Sequence, residues 1–237
     1  MTTTTTVAAA ESYLSDECWK HVFKFLDDGH HNNSNLMSLS LASKEFLSIT
    51  NRLRSTLSIF DGNPTTISLF HRFSNLTSLD LKFYHGDVDV LLHQISCFPL
   101  KLTSLNLSNQ LTIPASGLRA FSRNITTLTS LTCSGIYSLC SSDLFLIANC
   151  FPLLEEVDLS KPAQFKDHTN FLNAIKFLSL TLFELRKINL TGHDYINDQS
   201  LLHLFKNCKL LEEAIMKLKS TLVLDQTLFL MLFESFI

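Results

Sequence analysis

Leu102-Thr-Ser-Leu105-Asn-Leu107 decides the fold, because the same Leu-x-x-Leu-x-Leu pattern returns five more times in this chain. It recurs as Leu76/Leu79/Leu81, Leu128/Leu131/Cys133, Leu154/Val157/Leu159, Leu185/Ile188/Leu190 and Leu211/Ala214/Met216. In chain order the copies start 26, 26, 26, 31 and 26 residues apart. The closing positions of each copy alternate apolar and polar side chains, which predicts a short strand buried on one face. So regular a beat marks a stacked array in which each unit supplies a wall of its neighbour's core.

Between the copies lie stretches with helical spacing, at 89–97, 116–121, 142–150, 170–177 and 198–208. Several open on Asp or Ser, residues that suit a helix N-cap. Each period is thus one strand and one helix. A period of roughly 20–29 residues carrying this motif resembles the leucine-rich repeat. The expected fold is an α/β solenoid, with short parallel strands on the concave face and helices on the convex face. Thr56-Leu-Ser-Ile-Phe60, a turn at 61–64 and a helix at 66–73 read as a shorter capping repeat over 53–75. Six repeats then start near 76, 102, 128, 154, 185 and 211. The longer spacing before Leu185 predicts a rim loop over 161–168, which is polar and holds Pro162. Asp225-Gln-Thr-Leu-Phe echoes Asp198-Gln-Ser-Leu-Leu, so an incomplete seventh unit is expected in an apolar tail.

With 237 residues, 46% of them hydrophobic and 17% charged, the chain can bury a large core. A net charge of −3 gives no electrostatic reason to expect nucleic acid or an anionic membrane as partner. No run reaches the roughly 18 apolar residues of a membrane span. Residues 1–10 lack a basic and an apolar region, so they read as a disordered lead rather than a signal peptide. Six cysteines without a Cys-x-x-Cys point to reduced thiols in an intracellular protein of nucleus or cytoplasm, not to disulfides or zinc. Cys97, Cys150 and Cys208 each stand just before a repeat's first leucine, where a small buried hydrophobe would fit. Five Asn-x-Ser/Thr sequons favour an extracellular receptor only superficially, and Asn106 and Asn189 among them fall on expected strands.

Residues 11–52 leave the beat and read as a separate, small all-helical domain. Ser15-Asp16-Glu17 is a helix start. Cys18, Trp19, Val22, Phe23, Phe25 and Leu26 form an apolar stripe, a polar loop at 27–35 ends it, and a second helix is expected over 36–54. Leu14-Ser-Asp16-Glu17, Val22-Phe-Lys-Phe-Leu26 and Leu39-Ser-Leu-Ala-Ser-Lys44-Glu-Phe46 resemble the F-box. Ser15, Ala42 and Phe46 replace that family's usual Pro, Val and Trp. Asn149-Cys150-Phe-Pro-Leu-Leu154 and Ile196-Asn-Asp198-Gln-Ser-Leu201 resemble the cysteine-containing class of leucine-rich repeats. Together the two parts are similar to plant F-box/leucine-rich-repeat proteins. That resemblance implies a non-catalytic substrate-recognition subunit of an Skp–cullin–F-box ubiquitin ligase. Its implied partners are a Skp-type adaptor, a cullin–RING ligase through it, and a protein substrate. It places adaptor contacts at Leu14, Trp19, Val22, Phe23, Leu26, Leu39, Ala42 and Phe46.

No nucleotide loop, nucleophile elbow or zinc-protease motif occurs, and no cofactor or metal is expected. His30-His31 and Asp27-Asp28 read as a solvated turn, and Glu155-Glu156 and Glu212-Glu213 as exposed strand positions rather than an acid/base pair. If the leucines point inward, the residues between them line a docking face for a polypeptide. Its expected substrate-binding residues are Asp80, Lys82, Asn106, Thr132, Glu156, Asp158, Lys187 and Asn189. A plain interaction scaffold with a degenerate F-box is the competing expectation.

Overall fold

A computed structural model describes residues 14–26, 34–60, 66–166 and 170–216. The expected lead at 1–10, the Asp27-Asp28 and His30-His31 loop, the turn at 61–64 and the seventh unit after Met216 lie outside the described residues. The chain divides into two compact units, Met1–Arg54 and Ser55–Ile237.

The first unit is helical: α1 (Asp16–Leu26), α2 (Ser34–Ala42) and α3 (Lys44–Leu53). Ser15 opens α1 by accepting the Cys18 N–H at its hydroxyl, at 3.4 Å, and Asp16 and Glu17 fill the first turn. The expected single helix over 36–54 is two helices. Ser43 breaks it with an extended backbone, φ −157° and ψ 164°, and its hydroxyl accepts the Phe46 N–H at 3.0 Å. A residue that can cap a helix competes with its own place inside one. Phe23, Leu36 and Ile49 are the buried core, with Trp19, Leu39, Phe46 and Leu53 packed around them. Trp19 and Phe23 both meet the Phe46 ring edge-on, with centroids 4.8 and 4.9 Å apart.

The second unit is a solenoid of strand-and-helix repeats that follow the leucine beat. Its strands are β1 (Thr56–Ser58), β2 (Ser78–Asp80), β3 (Ser104–Asn106), β4 (Ser130–Thr132), β5 (Ser138–Leu139), β6 (Glu156–Asp158), β7 (Gln164–Phe165), β8 (Lys187–Asn189) and β9 (Glu213–Ile215). Its helices are α4 (Thr66–Arg72), α5 (Val88–Ile95), α6 (Ala115–Asn124), α7 (Ser141–Cys150), α8 (Phe171–Thr181) and α9 (Asp198–Asn207). β1, β2, β3, β4, β6, β8 and β9 form one parallel sheet in that order. The register is that of the motif: Leu79 stands beside Leu105, Leu131 beside Val157, and Val157 beside Ile188. These middle residues are buried, and so are Leu81, Leu107, Cys133, Leu159 and Leu190 two positions on. Each fully buried leucine contributes about 1.5–3 kcal/mol relative to an exposed one.

Two rim features escaped the pattern reading. After the strand, Asn109, Gly135, Lys161 and Gly192 take positive φ of 62°, 70°, 55° and 92°. They occupy the same place in four successive repeats, so the chain turns each corner through a left-handed residue. Beyond that corner a second parallel ladder pairs Thr112 with Ser138, and β5 with β7. The expected rim loop at 161–168 is therefore partly strand. Gln164 and Lys166 donate to the carbonyls of Tyr137 and Leu139, and Phe165 is buried.

Phe165 packs edge-on against Phe171, while His193 stacks on Phe171 with ring centroids 5.4 Å apart. Nε2 of buried His193 lies 2.7 Å from the Leu159 carbonyl oxygen, so it carries the proton and donates it. Its Nδ1 has no partner among the described residues. Burial holds the imidazole pKa below its ordinary value.

The cysteines carry no disulfide among the described residues, but they are not uniformly buried. Cys208 is buried, Cys150 is half-buried and Cys97 is exposed. Cys97, Cys150 and Cys208 stand five, four and three residues before Leu102, Leu154 and Leu211, so they do not share one core position, and only Cys208 fills a core site. Burial pushes the Cys208 thiol pKa up to about 11.

Candidate functional site

The strand face takes its chemistry from the residues flanking each buried middle position. Parallel pairing sets Ser104 beside Ser130, Ser130 beside Glu156, and Glu156 beside Lys187. Thr132, Asp158 and Asn189 form the adjoining column. A depression of about 240 Å³ is lined by Thr132, Glu156, Asp158, Lys187 and Asn189, together with Ser130, Glu213 and Ile215. The structure therefore brings together five of the eight expected substrate contacts.

Asp80, Lys82 and Asn106 stand outside that depression. Lys82 follows β2 and its ammonium sits 5.1 Å from the centre of the Phe83 ring. It belongs to a second depression of about 470 Å³ on the rim, lined also by Phe83, Tyr84, His85 and Leu111.

The column of Asp and Asn side chains is partly spent on the backbone. Oδ1 of Asp80 accepts the Lys82 N–H at 2.9 Å, Asn106 the Ser108 N–H at 2.9 Å, Asp158 the Ser160 N–H at 2.8 Å, and Asn189 the Thr191 N–H at 3.1 Å. Each bond turns the chain out of its strand. The serines that donate these N–H groups, Ser108 and Ser160, are themselves buried. What remains for a ligand is the second oxygen of each carboxylate. In Asp158 that oxygen accepts from Asn189 Nδ2 at 3.3 Å.

One column earlier, Thr77, Thr103 and Thr129 donate their hydroxyls to the carbonyls of Ser55, Thr77 and Thr103. From Glu155 onward the same column is ionic. Arg186 lies 3.7 Å from Glu155 and 2.6 Å from Glu212. Of the recurrent Glu pairs, Glu156, Glu212 and Glu213 are exposed and Glu155 is half-buried, and the first members, Glu155 and Glu212, clamp a guanidinium. Glu156 and Lys187 approach to 3.7 Å beside it. The spacing of Glu155, Arg186 and Glu212 by repeat lengths was the signal for this clamp.

In the helical unit the eight expected adaptor contacts separate into three groups. Phe23 is core. Trp19, Leu39 and Phe46 are half-buried supports of that core. Leu14, Val22, Leu26 and Ala42 are exposed. The reading by residue type missed the most exposed apolar side chains, Phe25 at 89%, Leu41 at 81% and Met37 at 67%. Phe25 was expected on the apolar stripe with Phe23, and the structure leaves it in solvent.

Among the described residues no group of His, Cys, Asp and Glu could hold a metal ion, and no helix is long and apolar enough to cross a membrane. No protein-family model matches the sequence, and no curated protein matches it. Among solved structures, the leucine-rich repeat-containing protein LegL7 from Legionella pneumophila is similar at 20% identity and a TM-score of 0.43. The likeness covers 76% of this chain and 62% of that protein, so the chain spans less than two thirds of its length.

Proposed function

We propose that this chain is a non-catalytic substrate-recognition subunit of an Skp–cullin–F-box ubiquitin ligase. The helical unit docks a Skp-type adaptor, and the strand face holds the protein to be ubiquitylated. The observation that carries this reading is the surface of the helical unit. A unit whose buried core is Phe23, Leu36 and Ile49 exposes Val22, Phe25, Leu26, Met37 and Leu41. Apolar side chains so concentrated on a small unit mark an interface. The F-box resemblance of the same residues names the partner. Of the replacements, Ser15 caps α1 and Phe46 keeps an aromatic against Trp19 and Phe23.

Co-expression with a Skp-type adaptor, followed by size-exclusion chromatography, tests the reading. The intact chain is expected to co-elute with the adaptor, and Phe25→Asp with Leu41→Asp to abolish this without unfolding the chain. Separate elution of the intact chain sinks the proposal. One observation favours the second reading, an interaction scaffold without a ligase role. Ala42 is exposed where the F-box pattern has a larger Val, which shrinks the apolar surface. A chain that binds a polypeptide on its strand face but no adaptor would establish it.

A further inference from the structure

The helix face carries a groove that the ligase reading does not use, and its origin is a packing asymmetry. Gly117 in α6 has no side chain, and a Cβ placed there would stand 2.9 Å from the Asp89 Cα. That lets α6 close on α5. Asp89 then accepts from the Gly117 N–H and, at 2.9 Å, from the Ser116 hydroxyl. As a result α6 packs more closely on α5 than on α7. The gap between α6 and α7 is a groove of about 500 Å³.

Its polar lining consists of Arg119, Ser122 and Arg123 from α6 and Ser142 and Asn149 from α7. The apolar floor is Phe145 and the buried Leu146. No acid lines it. The nearby Asp143 is engaged at the start of α7, accepting the Cys140 N–H at 2.9 Å, and Asp89 is tied to Gly117. Neither arginine has a carboxylate within ion-pair distance among the described residues. Arg119 spends one donor on the Ala115 carbonyl at 3.4 Å and retains the rest of its five.

Helix electrostatics account for only one of the pair. Arg123 stands in the last turn of α6, where a cation answers the helix dipole. Arg119 lies one turn earlier, and like charges four residues apart on a helix repel. The Ser122 hydroxyl already donates to the Arg119 carbonyl at 3.3 Å. Two unpaired cations, beside the Asn149 amide and above an apolar floor, form a recognition surface for carboxylates.

We infer that the α6/α7 groove binds an acidic segment of a partner protein, with carboxylates on Arg119 and Arg123 and an adjoining apolar side chain on Phe145. The groove shares no residue with the strand-face depression. The test is fluorescence anisotropy of the full chain with a labelled short peptide of alternating Glu and Leu. A peptide with Gln in place of every Glu serves as the uncharged control. The Glu peptide is expected to bind and the Gln peptide to bind about tenfold more weakly or not at all. Arg119→Gln with Arg123→Gln should cause a similar loss, with an unchanged melting curve by circular dichroism. Lys176→Gln with Lys206→Gln removes two cations from α8 and α9 and should leave binding intact. Equal binding of the two peptides, no binding of either, or equal losses in both double variants would overturn the inference.

Discussion

The helical unit buries Phe23, Leu36 and Ile49 and leaves Phe25, Met37 and Leu41 in solvent. The repeats run one continuous core from Leu57 to Cys208. The difference is geometric. An apolar residue in the array can be handed to the next repeat, which offers the same face again. A unit of roughly 40 residues has no such neighbour within itself, and its core is marginal. Stability is therefore spread along the repeats, whereas the helical unit is held by few contacts and shows the surface that a partner would cover.

The largest expected effect breaks the weaker partner of this comparison. Phe23→Ala should cost roughly 3–5 kcal/mol, more than so small a core can lose. Trp19 is the sole tryptophan of the chain and packs 5.7 Å from the Phe23 ring, so its fluorescence reports on this unit alone. The variant should lose the cooperative fluorescence transition in urea, while the far-ultraviolet circular dichroism of the repeats keeps its midpoint. Equal shifts in both signals would show that the two units do not differ in the way described.

In the array, Leu105→Ala should cost about 2–5 kcal/mol, because Leu105 is 0% exposed in the middle of the sheet. Ser104→Ala, on the other face of the same strand, should stay within about 0.5 kcal/mol. Urea midpoints that coincide for these two variants would refute the strand register.

Much of this was legible because the repeat states it many times over. Leu79, Leu105, Leu131, Val157 and Ile188 alternate with polar residues at a constant period, and register follows from period alone. The docking face was half legible, since alternation says which side chains leave the core but not what they bond to. Asp80 and Asp158 looked like free carboxylates, yet each spends an oxygen on the backbone two residues ahead. The break at Ser43 was invisible to apolar spacing, because α2 and α3 keep compatible phases across it. In the helical unit, residue type could not separate Phe23 from Phe25, for which only packing decides.

Histidine chemistry distinguishes the two regions further. His193 is buried in the array with Nδ1 unpartnered among the described residues, and its pKa is lowered by burial. Protonation is thus easier in the unfolded chain than in the folded one. His193 should contribute its full stability above the ordinary value of 6.5 and lose it as pH falls through and below that value. The urea midpoint of the repeats, followed by circular dichroism, should drop between about pH 7.5 and about pH 5. His193→Phe should flatten that drop whatever it does to the midpoint itself. An equally steep fall in the variant would assign the pH dependence elsewhere.

The smallest expected effect concerns the strand face itself. Glu156 and Lys187 stand 3.7 Å apart with about half of each side chain exposed, 52% and 49%. Water screens such a pair, and a double-mutant cycle with Glu156→Gln and Lys187→Gln should give a coupling of about 0.2–1 kcal/mol that shrinks in high salt. A small coupling means that both groups can exchange their mutual contact for a ligand at little cost to folding. A salt-resistant coupling well above that range would make the pair a structural clamp. The strand face would then be part of what holds the array together, as Asn106 and Asn189 already are, and less of it would be free to dock a polypeptide.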